Sequence, residues 1–276
     1  MSHESDWASR HRNMLKSLRV DIPHVGASMS AIVFVRQPQS GPLCAVVDVG
    51  GSPVIEVHRL HLTDVTPAPN LPWTRPTFPV FAYLVLHPTR PILIDTGVGI
   101  GNAFIDELYS PVHHDIDVAL GSHGVSVDDV ATVITSHLHF DHCGQNNRFA
   151  GSNVLVQRAE VEAATAALYT VPDWAFPPGI DLTVIDGDHQ VATDVRIIAT
   201  PGHTPGHQSV LIKDGDSRRT LVCCQAAWNV NSFDTATLGD DGWDEATGAA
   251  SLKKLHALKP DRVMLSHDPD EWRARR

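Results

Sequence analysis

The stretch ITSHLHFDHCG, Ile134 to Gly144, constrains this chain more than any other. It sets three histidines and an aspartate within six positions, His137 to His142, directly after the apolar run TVIT. Side chains two apart on an extended segment point the same way, so His137 and His139 face one side together. Asp141 and His142 follow where the chain should turn. A fold carrying this segment must gather imidazoles and a carboxylate at a strand end, and borderline metals such as zinc take that ligand mix. Histidine is also the compositional outlier, with 17 copies in 276 residues.

A second segment, TPGHTPGHQS from Thr200 to Ser209, delivers His203 just after the strand-like run VRIIAT. Gly202 and Gly206 let the backbone turn tightly there. His207 opens the next apolar run, and its expected task is to orient a neighbouring group rather than to ligate. A third, MLSHDPD, places His267 after another short apolar strand.

With 42% apolar residues the chain has enough material for a large core. A formal net charge of −11 argues against a nucleic-acid surface, which needs a basic face. The four cysteines show no C-x-x-C spacing and read as reduced thiols. Cys223 and Cys224 are adjacent, so on a strand they point to opposite faces. No apolar run approaches the roughly 20 residues that span a bilayer, and the N-terminus lacks a secretory h-region. The expected location is cytoplasmic, with no membrane partner.

Residues 1–53 read as an N-terminal extension in which AIVFV and LCAVVDV are strand candidates, and an arm reaching a neighbouring subunit, hence a homodimer, is one option. From residue 54 to residue 276 the pattern is regular. VIEVHRLHL alternates, and PVFAYLVL, ILID, TVIT, NVLVQ, LTVI, VRIIAT, QSVLI and LVCC are short apolar runs. GNAFIDELYS, a segment around SVDDV, QRAEVEAATAALY and DEATGAASLKKLHAL are the helical candidates. This order predicts an α/β protein with two packed sheets and helices outside. Two proline-rich loops carry aromatics, Trp73 and Phe78 in one, Trp174 and Phe176 in the other. They either wall an apolar pocket or cover the edge of the core.

These motifs resemble the metallo-β-lactamase superfamily over roughly Val54 to Trp272. LIDTG at Leu93 to Gly97 is similar to its first motif, SHLHFDHCG to its H-x-H-x-D-H motif, and TPGHTPGH to the segment bearing the next histidine. Within the superfamily the N-acyl homoserine lactonases look most similar. The resemblance implies a four-layer αββα sandwich with metals at one edge of the sheets. His137, His139 and His203 would hold one metal, Asp141, His142 and His267 the other, and Asp95 would be a buried acid behind them. In the lactonases a bridging aspartate stands where this chain has Gln225, and a substrate-facing tyrosine where it has Trp228.

The implied activity is a metal-dependent hydrolase that opens a lactone or related ester through a metal-bound hydroxide. Its substrate is expected to be a partly apolar small molecule, an N-acyl homoserine lactone among the options. Asp141 would also orient the attacking group or pass a proton, and Trp228 offers an indole N–H to the substrate. Glutamine supplies no charge, so one zinc ion should bind firmly and the second weakly, with Gln225 contributing at most a carbonyl oxygen. Iron and manganese are alternative metals. A mononuclear iron oxygenase and a glyoxalase-II-like thioester hydrolase are the competing activities, and a β-lactamase with Cys224 as ligand is a third.

Overall fold

The computed structural model describes residues 31–35, 43–47, 54–69, 71, 76–180, 182–214, 218–238 and 242–274. Strands β1 (Ala31–Val35) and β2 (Leu43–Val47) pair antiparallel as a sheet of two. The next strands are β3 (Glu56–Val65), β4 (Phe78–Leu86), β5 (Ile92–Ile94), β6 (Val112–His113), β7 (Thr132–Ile134), β8 (Asn153–Gln157) and β9 (Leu182–Ile185). They form one sheet in the order β6-β3-β4-β5-β7-β8-β9. A second sheet runs in sequence order through β10 (His189–Ala192), β11 (Val195–Ala199), β12 (Gln208–Lys213), β13 (Arg219–Cys224), β14 (Arg262–Leu265) and β15 (Trp272–Arg273).

Alternation along the strands builds the layers. In β13, Val222 and Cys224 face the other sheet, where they join Tyr83, Ile94, Ile134 and Leu155 in one buried cluster. Leu221 and Cys223 face the opposite way, against Phe233, Leu252 and Leu255 of the helices Val230–Thr235 and Glu245–Ala257. The adjacent cysteines therefore do lie on opposite faces. On the far side of the first sheet, Leu60, Leu62, Leu84 and Leu93 pack against Ile116 and Leu120 of the helix Ile116–Gly121. The result is helix, sheet, sheet, helix, the architecture expected from the sequence.

Polar contacts tie the sheets together at the ends where β7 and β11 stop. Gln208 at the start of β12 donates its amide to the carbonyls of Thr135 and Leu155, and its backbone N–H reaches the Ser136 carbonyl at 2.9 Å. Phe81 donates its backbone N–H to Ser266.

Several expected elements are shorter than the sequence suggests. The Ala-rich run from Gln157 is helical only over Arg158–Ala163, then turns, with Leu168 at a φ of 64°. The strands β6, β10 and β15 and the helices Ile116–Gly121 and Val230–Thr235 were not legible, because each is short or lies at an edge where the apolar period is incomplete. No helix among the described residues is long and apolar enough to cross a membrane.

The thiols follow from this burial. Cys143, Cys223 and Cys224 are all buried, and burial pushes Cys223 up to about 12 and the other two further still. Only the thiolate is nucleophilic. These three should stay silent toward a water-soluble disulfide reagent in native protein and react after denaturation; fast native reaction of two or more of the four thiols would contradict the packing.

Candidate metal centre

The loops that follow β5, β7, β11, β13 and β14 all end in polar residues, and their side chains meet at one edge of the sandwich. Where β7 stops, alternation persists through His137, Leu138 and His139. Leu138 turns into a buried cluster with Cys143 and Val156, while the two histidines turn together toward the opposite side. His137 Nε2 lies 3.1 Å from His139 Nδ1, and His203 Nε2 lies 3.1 Å from the same atom. Nitrogens around one tetrahedral zinc, each at about 2.05 Å, would stand about 3.3 Å apart. His139 is already near that spacing from both partners, and the three donor nitrogens all lie within 4.8 Å of one another.

The second group is Asp141, His142 and His267, all buried, with an Asp141 carboxylate oxygen 3.5 Å from Nε2 of each histidine. Asp95 accepts from His142 Nδ1 at 2.8 Å, and the Pro79 carbonyl accepts from His267 Nδ1 at 3.1 Å. Both rings are thereby oriented with Nε2 toward Asp141. Gln225 occupies the space between them: its Oε1 is 3.1 Å from His142 Nε2 and 3.2 Å from His267 Nε2. His207 stands behind it. Its Nε2 accepts the Gln225 backbone N–H at 3.2 Å and its Nδ1 bonds to the Thr200 hydroxyl at 2.9 Å, so both ring nitrogens are engaged and it is in neither donor group.

Backbone features hold these loops in register. Asp95 sits at a φ of 63°, a conformation that L-residues adopt at a cost, and its carboxylate accepts both the backbone N–H and the hydroxyl of Ser136. Gly144 lets the two loops touch, because a Cβ there would stand 1.9 Å from the Gly99 nitrogen. Glu160 was not found in the sequence reading. It is fully buried, accepting from the Leu138 N–H at 2.8 Å and the Tyr169 hydroxyl on one oxygen, and from the Thr204 hydroxyl and the Gly206 N–H on the other. It thus ties the loop carrying His137 and His139 to the loop carrying His203. A carboxylate in a short Ala-rich helix gives no sequence signal for such a role.

Burial, then the neighbouring imidazoles, holds His137 and His203 well below the usual histidine range. Burial also pushes His139 down to about 4, although Asp141 opposes it. These three rings are neutral at pH 7, as metal ligands must be. His142 is the opposite: burial lowers it, but the charges of Asp141 and Asp95 win and raise it to about 9. Burial acts against ionised Asp141, yet the facing histidines hold it below the usual carboxylate range.

Beside the centre, Phe78, Val98, Ile105, Tyr109, Phe140, Trp174 and Trp228 form an apolar cluster. Trp228 stacks on the His267 ring at 4.6 Å. An open cleft of about 710 Å³ runs past Phe78, Trp228, Asn229 and His267. Of the four loop aromatics, Phe78 and Trp174 join this cluster, whereas Phe176 is exposed outside it and Trp73 lies outside the described residues. Cys224, the thiol that a β-lactamase reading would use, faces the core between the sheets and is in neither donor group.

Residues 75–267 match the model of the metallo-beta-lactamase superfamily. An N-acyl homoserine lactonase of Bacillus sp. is 33% identical over 71% of this chain and 83% of its own length. A solved structure of B. thuringiensis AiiA with N-decanoyl-L-homoserine at its active site superposes with a TM-score of 0.66 at 27% identity, covering 78% of this chain and 93% of that one. A structure of an N-acyl homoserine lactone hydrolase, with the product N-hexanoyl-L-homoserine at its catalytic metal center, has a TM-score of 0.66 at 28% identity over 78% and 93% of the two chains.

Two outcomes are expected. A group whose folded pKa is depressed binds fewer protons than the unfolded chain between the two values, so stability falls as pH drops through that window. The metal-free protein should therefore lose melting temperature from about pH 5.5 toward pH 4, where His137, His139, His203 and His207 resist charging; His142 is protonated in both the folded and the unfolded chain over that window and adds no opposing slope. A flat profile would contradict the burial. Glu160→Gln keeps one accepting oxygen but turns an NH2 toward the two donors on the other, and should cost about 2–4 kcal/mol by chemical denaturation, together with about tenfold weaker metal binding.

Proposed function

The chain belongs to the metallo-beta-lactamase superfamily, and we propose that it hydrolyses lactones or related esters with a partly apolar side chain, using zinc held chiefly by His137, His139 and His203. It is a metal-dependent hydrolase. The observation that carries the metal assignment is the convergence of three neutral, largely buried imidazoles, His139 Nδ1 lying 3.1 Å from Nε2 of both His137 and His203. Relatives named as lactonases favour a cyclic ester over the thioester and oxygenase alternatives.

A bound zinc ion would lower the pKa of a water molecule from 15.7 to about 7 and polarise a carbonyl. The protein groups account for the rest. Ring opening forms a bond from water oxygen to the acyl carbon and breaks the ring C–O bond, and the departing oxygen needs a proton. Asp141 belongs to the second donor group, feels the His139 ring of the first and is ionised at neutral pH, so it can orient the attacking water, take its proton and pass it to the leaving oxygen. Trp228 has an indole N–H that can donate to the substrate carbonyl but no phenolic proton to share. Its stack on His267 supports a fixed position at the rim. The cleft volume suits a small molecule with an acyl tail.

In the second group, Gln225 offers a neutral carbonyl where a bridging aspartate would add a charge. His142 must also lose a proton to ligate at pH 7. Both features favour one firm metal and one weak one. Iron and manganese remain alternatives for the firm position, and a cytoplasmic location fits the free thiols.

His137→Ala or His139→Ala should abolish hydrolysis and lower bound zinc, measured by elemental analysis beside a pH-indicator screen of lactones, esters and thioesters. Zinc titration of metal-free protein should show one tight and one weak equivalent, and Gln225→Asp should tighten the weak one. Two equally tight equivalents in the unmodified protein would overturn the asymmetry.

A further inference from the structure

We propose that His61, Asp64 and His114 form a surface site for a late first-row divalent cation, zinc foremost, separate from the centre described above. His61 Nε2 stands 2.9 Å from Asp64 Oδ1, and His114 Nε2 stands 3.0 Å from Asp64 Oδ2. The two rings lie 4.4 Å apart between centroids, and one donor atom from each residue falls within 4.8 Å of the others. Two imidazoles and a carboxylate make a donor set that zinc, copper and nickel accept at bonds of about 2.0–2.2 Å, and each histidine nitrogen already stands within hydrogen-bond distance of one Asp64 oxygen.

The sequence hides this cluster, and a bulge creates it. His61 and Asp64 are three apart on β3, so regular alternation would send them to opposite faces. The pairing with β4 slips between His61 and Thr63, and Leu62 and Thr63 are both buried in succession. Such an extra residue re-aims the side chains beyond it. His61 and Asp64 thereby come to one side.

The third donor arrives from β6, whose residues Val112 and His113 pair with Asp64 and Thr63. His114 follows, its backbone N–H bonded to the Leu62 carbonyl at 2.8 Å. Burial alone would raise the Asp64 carboxyl, but the hydrogen bond from His114 and the charge and hydrogen bond of His61 keep it below the usual carboxylate range. A negative acceptor is therefore ready at neutral pH. All three side chains are about two-fifths to one-third exposed, which leaves positions for water on a bound ion.

Such an ion would fasten a short edge strand to its neighbour, where the ladder spans two residue pairs beside the His114 bonds to Leu62 and Asp64. The expected consequence is local stabilisation, with no role in hydrolysis.

The test uses the full chain with its catalytic centre loaded. Wild type, H61Q and H114Q are dialysed to equilibrium against the same free zinc, and zinc per chain is measured by atomic absorption. Each variant should hold one equivalent fewer than wild type, keep wild-type hydrolysis, and lose part of the zinc-induced rise in melting temperature. D64N, which keeps both imidazoles, should bind that equivalent at least tenfold more weakly. Equal zinc content and equal melting shifts in all four proteins would overturn the site. That outcome is independent of the hydrolase reading, because none of the three residues belongs to the catalytic centre.

Discussion

Three buried imidazoles whose ring nitrogens crowd one spot cannot all be charged and cannot hold that geometry unaided, so the arrangement of His137, His139 and His203 depends on its surroundings. Everything around it acts to hold it. The Glu160 carboxylate fixes the backbone of both contributing loops through the Leu138 and Gly206 N–H groups, and accepts from the Thr204 and Tyr169 hydroxyls as well. Gly144 permits the backbone contact with Gly99 that sets the turn beyond His142. Asp95, in a left-handed conformation after β5, clamps Ser136 and orients His142. The unfavourable group is small, and its scaffold spans five loops.

The two donor groups share a wall yet differ in electrostatics. The first is neutral, crowded by histidines and short of charge. The second holds an ionised aspartate, a histidine that prefers its proton and a glutamine whose oxygen accepts where a carboxylate would attract. Replacing a bridging aspartate by glutamine removes a negative charge that would offset the repulsion of two cations. The fold thus sets two candidate donor groups side by side with unlike charge.

Much of this was legible in the sequence because metal ligands cluster locally. H-x-H-x-D-H sets four candidates within six residues, and His203 and His267 each follow an apolar strand, so their convergence needs only that those strands end at the same edge. What stayed hidden depends on long-range packing. Glu160 reads as an exposed helix residue until Leu138, Thr204 and Gly206 are seen around it. His61, Asp64 and His114 read as surface polarity, since the bulge that unites two of them leaves no composition signal. Edge strands of two to four residues are too short for alternation to register.

The central claim, that the all-histidine group is the firm metal position, is tested most directly by where the metal sits. Crystals of protein carrying one equivalent of zinc, measured across the zinc absorption edge, give an anomalous map that locates the ion. The account predicts a single strong peak within bonding distance of His137, His139 and His203, with little density between Asp141, His142 and His267. A dominant peak at the second group, or two of equal height, would contradict it.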